Sequence, residues 1–232
     1  MMKRAFTAIA GLFLLATSVQ AEEYWITQYR AAPGKFPALL ELVKNTDLTF
    51  YSGTSPILMR HSQGNHWDLM VVQKFNPDCR RSEPCINMAA SFNYEVSQLV
   101  DFELNFVALS ETDWATLQQL NENTGLYHIE MFNAAAGKHD ALLRQRRIEN
   151  DYLARTGQVT NVIFTVDMGS DIDVFTIGFH ESLKTFAESP DLPPEAFEKA
   201  AVDAGFKNRA DISFHLRELI VGHHDTLAGP VK

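Results

Sequence analysis

The chain has 232 residues, 46% of them hydrophobic and 11% aromatic, which is enough apolar side chain for a sizeable buried core. Its formal net charge of −9 argues against a nucleic-acid partner, because tracking phosphates requires clustered Lys and Arg. The densest basic run, Arg144 to Arg147, is flanked by Glu149 and Asp151 and reads as a solvated helix face.

In chain order, Lys3 and Arg4 precede an apolar run from Ala8 to Ala16 and a small-residue stretch ending Val19-Gln20-Ala21, the pattern of a secretory signal peptide over residues 1–21. Its removal would take away Lys3 and Arg4 and leave 18 basic against 29 acidic residues, a net of −11. The apolar run is far shorter than the roughly 20 residues that span a bilayer, so no membrane anchor is expected in the mature chain. A periplasmic or secreted location follows. Cys79 and Cys85 lie in the turn-rich segment NPDCRRSEPCIN and are expected to form one disulfide in an oxidising compartment.

The remainder is organised by a repeat. Tyr24 to Leu40, YWITQYRAAPGKFPALL, returns 103 positions later as Tyr127 to Leu143, YHIEMFNAAAGKHDALL. In each copy a strand pattern ends at a Gly-Lys turn and enters an apolar-periodic helix. Phe36, Leu39, Leu40 and Val43 mark one helical face in the first copy. Strands are expected at Ile57–Arg60 and Trp67–Phe75, joined by the hairpin signal Ser62-Gln63-Gly64-Asn65, then a helix over Ile86–Leu99 and a strand over Phe102–Leu109. The second copy predicts strands at Leu126–Phe132, Val159–Val166 and Ile172–Phe179, helices at Lys138–Leu153 and Glu195–Ala204, and a last strand over Ile212–Val221.

Each half therefore reads β-α-β-β-α-β, the ferredoxin-like unit, over residues 22–110 and 125–232, with 111–124 as linker. Both faces of the strands carry apolar residues. Helices cover only one face, so an α+β fold is expected in which two ferredoxin-like sheets pack face to face within one chain. This resembles the dimeric α/β-barrel superfamily in fused form. The Tyr29-Arg30-Ala31-Ala32-Pro33-Gly34-Lys35 stretch resembles its NIPSNAP-like branch, and Ala134-Ala135-Ala136-Gly137-Lys138 is a copy lacking the Pro. The resemblance implies a monomer built as an intrachain pseudo-dimer. Families of this fold include cofactor-free monooxygenases, haem-handling enzymes and isomerases.

Comparison of the halves exposes the polar candidates. Phe36 and Val43 become His139 and Arg146, and Trp25 and Thr27 become His128 and Glu130. The expected last strand adds His215 and Arg217, so His128, Glu130, His215 and Arg217 could converge, with a Glu130–Arg217 pair as the purely structural outcome. His223-His224-Asp225 has metal-ligand residue types, but adjacent ligands near a chain end rarely suffice, and no metal site is assigned. No cofactor is expected either, since haem would need His139 or His180 as an axial ligand. The leading functional reading is a small apolar or aromatic ligand, walled by Phe and Trp and oriented by the polar residues of the second half. A cofactor-independent oxygenase or isomerase using that pocket, and a structural protein with no ligand, are the alternatives.

Overall fold

A computed structural model describes residues 21–231. The expected leader, residues 1–21, lies outside the described residues except for Ala21. Among the described residues there are eight strands: β1 (Glu22–Ala31), β2 (Ile57–Gln63), β3 (Leu69–Lys74), β4 (Val100–Ser110), β5 (Leu126–Ala134), β6 (Asn161–Met168), β7 (Val174–His180) and β8 (Ile220–Pro230). They form one closed antiparallel barrel in the order β1-β3-β2-β8-β5-β7-β6-β4. The helices are α1 (Phe36–Asn45), α2 (Thr49–Ser52), α3 (Glu83–Ser97), α4 (Trp114–Glu122), α5 (His139–Arg155), α6 (Leu183–Ala187), α7 (Pro194–Ala204) and α8 (Asp211–Arg217). Among the described residues, no helix is long and apolar enough to cross a membrane.

Strand alternation sorts side chains between barrel interior and helix-covered exterior. Tyr24, Ile26, Met70, Phe106, Tyr127, Ile129, Phe164 and Phe175 belong to the cluster that fills the interior. On the outside, Tyr29, Leu69 and Val71 pack with Leu39 and Val43 of α1 and with Phe92 and Val96 of α3. Phe132 and Val174 pack with Leu142 of α5 and with Leu219. The strand ends are fastened alike in both halves. Asp68 donates its backbone N–H to the Tyr29 carbonyl (2.7 Å) and accepts from the Ala31 N–H (2.8 Å). Asp173 does the same with Phe132 (3.0 Å) and Ala134 (2.7 Å).

The closed barrel overturns the expectation of two ferredoxin-like sheets packed face to face. β2 bonds to β8 and β4 to β6, so the strands of the two halves form a single continuous sheet. The reason is hydrogen bonding at the edges: two separate sheets would leave four rows of unpaired N–H and C=O groups, and closure pairs these edges at the two junctions between the halves. The last strand also differs. Ile212, Leu216 and Leu219 recur at i, i+4 and i+7, a helical spacing, and residues 211–217 form α8, with β8 beginning only at Ile220. Residues 111–124, expected as linker, contain α4, whose N-terminus is capped by the Asp113 carboxylate accepting from the Thr116 N–H at 2.7 Å.

Cys79 and Cys85 form a disulfide with Cα atoms 5.3 Å apart. It ties a 3-10 turn, Pro77–Arg81, to the first turn of α3.

Candidate functional site

Two sites lie between the barrel and its helices, on the outward strand face of each half. In the second half, β5 and β8 are antiparallel neighbours with Glu130 opposite Asp225 and Phe132 opposite His223. Residues two apart on a strand share a face. Glu130 and Asp225 therefore form the central pair of one face, with His128 and His223 on diagonally opposite sides of it, His128 across from Leu227 and His223 across from Phe132. His128 Nε2 is 3.2 Å from Asp225 Oδ1, and His223 Nε2 is 3.5 Å from Glu130 Oε1 and 3.6 Å from Asp225 Oδ1. His128, Glu130 and Asp225 each offer a donor atom within 4.8 Å of the others.

α5 closes over this face. The Arg146 side chain is 1% exposed, lies 3.4 Å from Glu130 Oε2, pairs with Glu149, and donates from Nε to Gln145 Oε1 at 2.7 Å. Its guanidinium sits 4.7 Å from the Phe132 ring centroid, on which His223 is also stacked at 4.7 Å. Thr176 Oγ1 donates to Glu130 Oε2 at 3.2 Å. Burial opposes the Glu130 charge, yet the His223 contact, Arg146 and His128 hold its carboxyl below the usual carboxylate range. For Glu149 burial prevails over Arg146 and pushes the carboxyl up. The hydrogen bond to Glu130 raises His223, and the one from His128 lowers Asp225.

Of the four residues expected to converge, His128 and Glu130 stand together on β5, and Arg146 of α5 joins them. His215 and Arg217 do not, because they lie on α8: His215 Nδ1 is 3.7 Å from Glu218, and Arg217 donates to the Ser213 carbonyl at 3.1 Å. The expected Glu130–Arg217 pair is replaced by Glu130–Arg146. His139 stands at the start of α5 beside Asp140, with its side chain 40% exposed. His180 lines the same cleft as His128 and Glu130. Burial lowers its pKa, and its Nδ1 is buried without a hydrogen-bond partner.

The first half carries an apolar cavity of about 360 Å³ where β1, β3 and β4 face α3. Trp25 stacks on Phe75 at 6.1 Å, and Arg80 lies 5.6 Å from each ring. Tyr29, Tyr51, Ile86 and Phe92 complete most of the apolar wall, and Cys79 places the disulfide at its edge. A hydrogen-bonded row runs along one side: Trp25 Nε1 donates to Thr27 Oγ1 (3.1 Å), Thr27 Oγ1 to Asn105 Oδ1 (2.7 Å), and Asn105 Nδ2 to Glu103 Oε1 (2.6 Å). Gln73, 5% exposed, also lines the cavity, and its Oε1 is buried with no partner. Sequence reasoning assigned the aromatic walls and the polar groups to one pocket. The fold separates them, because α5 supplies Arg146 over the polar strands while α3 covers Trp25 and Gln73. The signal that could have found the cavity was Gln73 within an otherwise apolar outward row, Leu69, Val71, Gln73.

No family model matches the sequence, and no curated protein does. Solved structures do share the fold. An anthrone oxidase-like protein superposes with a TM-score of 0.56 at 14% identity, covering 91% of this chain and 92% of that one. A candidate monooxygenase from Lactobacillus acidophilus NCFM gives 0.53 at 6% identity, covering 92% and 95%. A mutant chlorite dismutase from Candidatus Nitrospira defluvii gives 0.50 at 13% identity, covering 91% and 93%. These likenesses extend over nearly the whole described chain and show a shared fold.

Proposed function

We propose that this protein binds a small, flat, largely aromatic molecule in the first-half cavity, with the ligand donating a hydrogen bond to Gln73. The observation that carries the reading is the Gln73 carbonyl oxygen, buried and unpartnered against an aromatic-lined cavity. An unpaired buried acceptor costs roughly 1–3 kcal/mol, and a ligand N–H or O–H would recover that cost. Trp25, Phe75 and Tyr51 offer the flat surfaces, and Arg80, exposed over the Trp25–Phe75 pair, covers one edge. Fold likeness to an anthrone oxidase-like protein and to a candidate monooxygenase is in keeping with a small organic ligand.

The same proposal locates the protein outside the cytoplasm, on the leader pattern of residues 1–21 and the Cys79–Cys85 disulfide. Kinship with the NIPSNAP-like branch is part of it, supported by the Tyr29–Lys35 turn. Native mass spectrometry of the protein exported by its own host tests the binding. A retained organic mass on the wild type that is lost from Trp25→Ala and weakened in Gln73→Leu is expected. A bare wild-type protein, or a mass that persists in Trp25→Ala, refutes the reading.

A further inference from the structure

We propose that the second half holds a divalent metal ion, best matched by zinc, on His128, Glu130, His223 and Asp225. The argument begins with strand geometry. Two adjacent antiparallel strands each contribute residues two apart, so all four side chains leave one face of a rigid sheet, the opposed pair Glu130 and Asp225 flanked diagonally by the two histidines. Metal–ligand bonds of about 2.0–2.1 Å to imidazole nitrogen and carboxylate oxygen place tetrahedral donors about 3.3 Å from one another. Three of the donor separations are 3.2, 3.5 and 3.6 Å, and the donors of His128, Glu130 and Asp225 all lie within 4.8 Å of one another. An ion drawn in by these three would be completed by a shift of the His223 ring, which already reaches Glu130 and Asp225. Two imidazoles with two carboxylates also form a borderline donor set that suits zinc better than the all-oxygen shells preferred by magnesium or calcium.

The surroundings are arranged as a metal site requires. Glu130 uses Oε2 to accept from Arg146 and Thr176, which leaves Oε1 turned toward His223. Phe132 lies parallel to the His223 ring and fixes its plane. Such outer contacts orient ligands and tune their affinity. Charge agrees as well: Glu130 and Glu149 share one guanidinium, Arg146, and Asp225 meets only imidazoles, so the carboxyl groups of the cluster outnumber its one permanent cation. A divalent cation offsets the excess. An independent observation points the same way. His180, 9% exposed, lines the cleft that holds His128 and Glu130, and its Nδ1 has no hydrogen-bond partner.

The site is separate from the first-half cavity and stands or falls without it. The full chain, stripped with a chelator and dialysed, should take up one equivalent of Zn²⁺ in a calorimetric titration. Co²⁺ in its place should give the intense visible bands of tetrahedral coordination. Asp225→Asn, on an exposed side chain and so compatible with folding, should weaken Zn²⁺ by about 10–100-fold or more, the loss typical of disturbing even outer-shell contacts. His223→Ala should do likewise. Trp25→Ala and His139→Ala should leave uptake unchanged. Absence of stoichiometric uptake by the wild type, or uptake that Asp225→Asn and His223→Ala both leave intact, overturns the proposal.

Discussion

Arg146 and Arg217 were equivalent candidates on composition, but their surroundings set them far apart. Arg146 is buried among Glu130 and Glu149, so Arg146→Ala would strand two buried carboxylates and should destabilise the fold by roughly 3–5 kcal/mol. Arg217→Ala removes only local contacts to Ser213 on α8 and should change stability by about 0.5 kcal/mol or less. Chemical denaturation of the two variants side by side checks both. His61 offers a pH test. Its Nε2 is buried without a partner, and burial lowers its pKa below the usual 6.5 despite the nearby Asp68 carboxylate. Below pH 6.5 the unfolded chain therefore binds the proton that the folded chain resists. The stability contribution is present above that pH and is lost as pH falls toward the folded pKa. His61→Phe should flatten this part of the stability–pH curve, and an unchanged curve would exclude His61 as its source.

At the level of elements, hairpins and helices were legible wherever a local rule decided them. Ser62-Gln63-Gly64-Asn65 reads as a turn from its own residues, and the α1 face from its i, i+3, i+4, i+7 pattern. α8 was misread because Ile212, Phe214 and Leu216 also alternate, and only the packing of Ile212 and Leu216 against the second half chooses between the two periods. The cost of that error was the misplacement of His215 and Arg217. His223 and Asp225 read as adjacent ligands near a chain end, whereas β8, beginning at Ile220, carries both within a strand beside Glu130 and Phe132. The turns also do work that no local rule shows. A Cβ on Gly64 would lie 2.0 Å from the Asp225 carbonyl oxygen of β8, and one on Gly169 2.5 Å from the Asn105 carbonyl oxygen of β4. Both glycines have positive φ, so Gly64→Ala or Gly169→Ala should each cost about 1–3 kcal/mol by strain and clash at a junction of the halves, measurable as a lowered denaturation midpoint. The disulfide closes a short loop and should contribute about 2 kcal/mol in the chain-entropy model. Since Cys79 also borders the aromatic cavity, the Cys79→Ser, Cys85→Ser double variant should lose ligand retention together with stability.

For the molecule as a whole, the repeat forecast the order of elements but not which edges meet. Apolar residues on both strand faces suit stacked sheets and a closed barrel equally well; the difference lies in backbone hydrogen bonds, to which side-chain patterning is blind. Here the two junctions are short. β2 and β8 are paired at four positions from Met59 to Gln63, and β4 and β6 at three from Val107 to Leu109. Behind them, the interior cluster draws side chains from both halves, including Tyr24 on Phe164 at 5.5 Å and Phe106 on Phe175 at 5.8 Å. A separated half would expose two strand edges and a broad apolar face, a combination that promotes association. Residues 125–232 expressed alone should therefore sediment as dimers or larger species and lack a cooperative monomeric melt, while coexpression with residues 22–124 should restore a one-to-one complex. A monomeric second half that melts cooperatively would show that its core closes without the first, and that the aromatic contacts across the barrel are dispensable for folding.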